Sequence, residues 1–164
     1  MFYNEQHIVY KEIFQQKIKP NTKILLTSNN TKIIVENIDI INDLNLTIHF
    51  DEKNENEHFY DIIIFDNINS CTDEQFEILI TKFKKMLKAK GVFMFIYYRF
   101  TLNEYLNYIN ITGINIDNMY SLEPSSFHEK FYNNNIKIID NYRLDSSYNF
   151  IISTDTFLLT CAIN

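Results

Sequence analysis

Apolar positions along the chain recur in two rhythms. From Asn4 to Lys19, Ile8, Val9, Ile13, Phe14 and Ile18 return every three to five residues, the spacing of one buried helical face, and Pro20-Asn21 ends the pattern. Lys23 to Thr27 (KILLT) is instead a short continuous apolar run between turn-forming residues, as in a buried strand. Thr31 to Leu44 fits either rhythm: Ile34, Ile38, Ile41 and Leu44 make a helical stripe, while Ile33, Val35, Ile38 and Ile40 suit a twisted strand. We favour the helix. The competing reading is a hairpin, with Lys23–Ser28 and Thr31–Asn37 as its arms and Asn29-Asn30 as its turn.

Leu46 to Phe50 (LTIHF) reads as a second strand, and Tyr60 to Phe65 (YDIIIF) as a third that is apolar on both faces. Such a strand belongs in the middle of a sheet covered on both sides, the mark of a parallel α/β layer architecture. Thr72 with Gln75 has the spacing of a capping box. Phe76, Leu79, Ile80, Phe83, Met86 and Leu87 then form a helical stripe, with Gly91 expected as its stop. Val92 to Tyr98 (VFMFIYY) is another buried strand, followed by a predicted helix from Leu102 to Ile109, a surface insertion over residues 110–123 and a short helix at Ser125–Tyr132. Ile136 to Leu144 and Thr156 to Ile163 are strand candidates with no helix between them, so they are expected to pair antiparallel.

Composition narrows the class. One domain spanning residues 1–164, opened by a helix within residues 1–20, accommodates 46% apolar residues in a single core. A net charge of −6 argues against nucleic acid as the main partner. Cys71 and Cys161 lack any zinc-ligand or disulfide-framework spacing, and His7, His49, His58 and His128 lack metal spacing. No apolar run reaches the length of a membrane span, and residues 1–20 carry charges throughout, so a soluble, cytoplasmic protein is expected.

The order strand, helix, strand, strand, helix, strand, helix, terminal hairpin resembles the class I S-adenosylmethionine-dependent methyltransferase fold. That is a Rossmann-like, mostly parallel sheet with a C-terminal antiparallel hairpin. The residues that carry the resemblance are KPNTKILLTSNN (Lys19–Asn30), YDIIIFDNI (Tyr60–Ile68), FKKMLKAKGVFMFI (Phe83–Ile96) and the closing NNNIKIIDNYRL…TFLLTCAI. About ten residues separate the second strand from YDIIIF, so the family's usual third strand is expected to be missing or reduced. A weaker resemblance is to the amino-terminal domain of the anamorsin family, without that family's Cys-rich tail.

By this resemblance, Thr27, Ser28 and Asn29 stand where the cofactor loop lies, Asp51 (or Glu52) where a carboxylate accepts from the ribose hydroxyls, and Asp66 and Asn67 near the methyl acceptor. In active members the loop is Gly-rich, because the cofactor passes close to the backbone and the turn visits positive φ. Here it is Thr27-Ser28-Asn29-Asn30, with four side chains in the way. The resemblance therefore implies a methyltransferase-like module with weakened S-adenosylmethionine binding that serves a protein partner. The alternative is a small active methyltransferase. Asp51-Glu52-Lys53 can equally open a solvated loop, and Asp66-Asn67 can equally form an Asx turn. Lys82, Lys84, Lys85, Lys88 and Lys90 read as the outer face of a helix, and Tyr97 to Phe100 as aromatic packing or an acceptor pocket.

Overall fold

A computed structural model of the chain describes residues 2–27, 32–50, 57–66, 72–99, 128–144 and 155–163. Its elements follow the sequence in the order α1 (Phe2–Gln16), β1 (Lys23–Leu26), α2 (Lys32–Glu36), α3 (Ile40–Asp43), β2 (Thr47–Phe50), β3 (Tyr60–Phe65), α4 (Asp73–Lys84), β4 (Leu87–Arg99), α5 (His128–Asn133), β5 (Ile136–Leu144) and β6 (Asp155–Ile163).

The sheet has the order β2-β1-β3-β4-β6-β5 among the described residues. The β2–β1, β1–β3 and β3–β4 pairs are parallel, and β6 runs antiparallel to both β4 and β5. The fold is therefore mixed α/β with a mostly parallel sheet and a terminal antiparallel pair, as expected. Among the described residues the sheet ends at β2, on the side where the family's usual third strand is added.

Alternation along each strand sends side chains to two cores. Ile63, Phe65, Phe93, Phe95 and Leu159 face one side and pack against Phe76, Ile80 and Phe83 of α4 and Phe131 of α5. Ile62, Ile64, Met94, Ile96 and Leu158 face the other, under Val9, Tyr10, Ile13 and Phe14 of α1 and Val35 of α2. This two-sided burial is why YDIIIF is apolar apart from Asp61 near its amino end: β3 sits between β1 and β4, and Ile62 to Phe65 are all buried.

Three local expectations change. The helix expected over residues 31–44 is two short helices, because the Asn37 amide nitrogen of the side chain donates to the Ile33 carbonyl (2.6 Å) and the Ile38 N–H bonds the Val35 carbonyl three residues back (3.0 Å). The hairpin reading fails outright, since Lys32–Glu36 is helical and β1 pairs in parallel with β2 and β3. The stripe ending at Leu87 is cut at Lys84: the Met86 N–H bonds the Phe83 carbonyl, and Leu87 already pairs with Tyr60.

Gly91 consequently lies inside β4 and stops no helix. It sits where the register slips from Tyr60↔Leu87 to Ile62↔Val92, a bulge on β4. A Cβ there would stand 2.6 Å from Leu87 Cγ and 3.1 Å from the Asp61 carbonyl oxygen, so only glycine fits without displacement. The expected Leu102–Ile109 helix, the insertion at 110–123 and Cys71 lie outside the described residues. Elsewhere the chain makes its left-handed turns with asparagine: Asn21, Asn45 and Asn135 have φ of 62°, 52° and 55°, beside His58 at 50°.

Candidate functional site

In an open parallel sheet, ligands bind outside the carboxyl ends of the strands, at the point where the strand order reverses. Here the chain leaves β1 for β2 on one side and returns to β3 on the other, so the crevice lies between the ends of β1 and β3. Leu26 pairs with Phe50 and with Ile64, so all three strands end at the same level.

Two of the sequence-derived candidates meet at this edge. Thr27 is the first residue beyond β1, and Asp66, half-buried, the first beyond β3. The Thr27 N–H donates to the Ile64 carbonyl at 3.2 Å, and its hydroxyl donates to the same oxygen at 3.2 Å. Both donors of Thr27 are thus spent across the crevice, and its β-branched side chain is fixed against β3. Ser28, Asn29, Asp51 and Asn67 lie outside the described residues.

The dense polar network lies at the opposite, amino end of the strands. Asp61 accepts from the Lys23 N–H (2.9 Å) and from the Lys88 ammonium (2.9 Å). Burial raises its pKa, but the Lys88 ammonium and the Lys23 N–H outweigh that and hold it below the ordinary carboxylate value. His49 Nδ1 and the Tyr60 hydroxyl share a 2.7 Å hydrogen bond, and the His49 ring stacks on Phe59. In the sequence, Tyr60 and Asp61 read only as parts of an apolar strand. The signal available was the single aspartate inside YDIIIF, since a carboxylate between buried neighbours needs partners.

Other candidates resolve into packing. Tyr97 is buried, stacks on Phe157 with centroids 5.1 Å apart, and its hydroxyl donates to Asn141 Oδ1 at 3.3 Å. The side chains of Tyr98 and Arg99, and Phe100 altogether, lie outside what is described. Cys161 is buried and its thiol is pushed up to about 12, which makes it unreactive. Among the described residues, no group of three or more His, Cys, Asp or Glu is placed to hold a metal ion, and no helix is long and apolar enough to cross a membrane.

No protein-family model and no curated protein matches the chain. Solved structures match it over almost its whole length. One is a chain of the complex between the Haloferax volcanii Trm112 methyltransferase activator and a putative methyltransferase, with a TM-score of 0.63 at 9% identity over 97% of this chain and 90% of that one. Another is the Burkholderia thailandensis 1,6-didemethyltoxoflavin-N1-methyltransferase, solved with S-adenosylhomocysteine, with a TM-score of 0.63 at 8% identity over 99% and 81% of the two chains. A third is a SAM-dependent methyltransferase from Leishmania major, with a TM-score of 0.58 at 9% identity over 96% and 72%. At such identities the likeness is one of fold: the chain has the class I methyltransferase fold. The anamorsin resemblance rests on the sequence alone.

Proposed function

We propose that this chain is a methyltransferase-like module that has lost efficient cofactor binding and acts through a protein partner, in the cytoplasm. The observation that carries the reading is Thr27. At the crevice between β1 and β3, where the fold brings its nucleotide-like ligand, the first residue past the strand is β-branched, and its N–H and hydroxyl both bond the Ile64 carbonyl. Close approach of S-adenosylmethionine to that backbone needs a position without a Cβ, and Thr27 supplies both a Cβ and a bridging hydroxyl. The residues described at this edge therefore fit the cofactor poorly.

A protein partner is consistent with the fold's uses, since one structural neighbour was solved together with a methyltransferase activator. The competing reading, a small active methyltransferase, draws on Asp66, which stays half-buried at the same edge beside Thr27. On that reading Asp51 would hold the ribose, and Asp66 or Asn67 would stand near the acceptor.

Thermal melting of the whole chain with millimolar S-adenosylmethionine, and separately with S-adenosylhomocysteine, distinguishes the two. A ligand present at 100 times its dissociation constant stabilises by roughly 2.7 kcal/mol, a shift of several degrees. We expect no shift with either ligand. A clear shift that Asp51→Ala abolishes would establish the enzyme reading.

A further inference from the structure

The outer face of α4 carries a pattern that neither the fold nor the crevice uses. Glu74, Glu77, Ile78, Thr81, Lys82 and Lys85 are all exposed and follow helical spacing along one stripe, opposite the buried Phe76, Ile80 and Phe83. Two acids stand toward the helix start, Ile78 and Thr81 in the middle, and two lysines at the end. Ile78 is 68% exposed. It helps line an open groove of about 600 Å³ together with Glu77, Thr81, Lys82, Lys85, Met86 and Glu57.

The charges on this stripe lack ionic partners among the described residues, although the Lys82 ammonium lies over the Phe83 ring, 5.2 Å from its centroid. None of the four has an opposite charge three or four residues away on the helix. Other lysines of the same run are used differently: Lys84 donates to the Asn134 carbonyl at 2.6 Å, and Lys88 to Asp61 at 2.9 Å. The helix dipole favours acids at the start and bases at the end. It gives no reason for an exposed isoleucine at the centre.

We infer that this stripe is the contact face of a two-fold dimer, in which α4 packs antiparallel on α4 of a second copy of the chain. With the axis passing between Leu79 and Ile80 of each helix, Glu74 faces Lys85, Glu77 faces Lys82 and Ile78 faces Thr81, each pair occurring twice. A two-fold interface must be complementary to itself, and an acid–apolar–base order meets that condition only when the two helices run in opposite directions. Parallel packing would set glutamate on glutamate. Ile78 supplies the apolar contact, and the charges fix direction and register. A 12-residue helix gives a seam about 18 Å long, so the interface belongs to the small class and the dimer is weak and concentration-dependent. The inference is independent of whether the crevice binds a cofactor.

Sedimentation equilibrium of the whole chain at low ionic strength, from roughly 10 μM to 1 mM, tests it. The chain should associate reversibly to a dimer and no further. Glu77→Lys alone and Lys82→Glu alone should each weaken association about tenfold, because each sets like charges together twice per dimer. The combined E77K/K82E variant should return to within about threefold of the parent, since the swapped pair is again opposite in sign. Melting curves check that each variant stays folded, which these exposed positions favour. A monomer at every concentration would overturn the proposal. So would a dimer that either single reversal leaves intact, or one that the double reversal fails to restore.

Discussion

Phe95→Ala is the substitution that most directly probes how the layers are held together. Phe95 is fully buried in β4, and its ring touches four others: Phe65 (4.9 Å between centroids, nearly parallel), Phe131 (5.1 Å), Phe76 (5.7 Å) and Phe93 (5.9 Å). These rings belong to β3, α5, α4 and β4, so one side chain joins the sheet to both helices on that face. Truncating a buried phenylalanine costs about 3–5 kcal/mol in lost transfer energy and cavity formation, and each well-placed ring pair adds about 0.5–1.5 kcal/mol. Partial collapse around the cavity offsets some of this, and we expect a loss of about 4 kcal/mol. That is a large part of the roughly 5–15 kcal/mol that domains possess. Urea unfolding followed by far-ultraviolet circular dichroism reads the loss directly, and the melting temperature should fall by about 8–16 °C. Tyr132→Ala, at a position 82% exposed, serves as the comparator and should stay within about 0.5 kcal/mol of the parent. A Phe95→Ala loss below about 1.5 kcal/mol would refute the assignment of this aromatic cluster as the joint between layers.

Three further outcomes follow from local geometry. Gly91→Ala should cost about 2 kcal/mol in the same urea assay, because its Cβ must displace the buried Leu87 side chain and press on the Asp61 carbonyl; a neutral effect would contradict the bulge. Thr72→Ala should lower stability by about 1 kcal/mol, because the Gln75 N–H loses the Thr72 hydroxyl that accepts from it (3.1 Å), while the bond from the residue-72 N–H to Gln75 Oε1 (2.9 Å) remains, and urea unfolding reads the loss. Asp61→Asn should flatten the acid side of the stability profile. The native pKa of Asp61 is lowered, so its contribution is complete above the ordinary carboxylate value of 3.8 and is lost as pH falls through the native one. With more than a third of its side chain exposed, the contribution is under about 1 kcal/mol, and unfolding measured from pH 6 downward should show the two proteins converging in acid.

The fold was legible because burial leaves a periodic trace. YDIIIF announced a strand covered on both faces, and the final antiparallel pair followed from two apolar runs with no helix between them. The start of α4 was readable from Thr72 and Gln75 alone. Its end was not: Met86 and Leu87 continue the helical spacing, but they are buried as readily by a strand, and the pairing of Leu87 with Tyr60 is a long-range contact that periodicity cannot express. Asn37 broke the helix of residues 31–44 through a side-chain bond to Ile33, a local competition that the hydrophobic pattern conceals. At the candidate site, the glycine-free run Thr27-Ser28-Asn29-Asn30 already marks Thr27 as unusual for this fold. Its two hydrogen bonds to the Ile64 carbonyl depend on β1 and β3 being neighbours, and thus on tertiary structure.

On the proposed function, the crevice between β1 and β3 no longer accepts S-adenosylmethionine with useful affinity. Calorimetric titration of the cofactor into the purified chain, with Asp51→Ala alongside, tests it most directly. No heat of binding is expected at millimolar cofactor for either protein. Micromolar binding by the parent chain that is lost in Asp51→Ala would contradict it and assign the chain to the active methyltransferases.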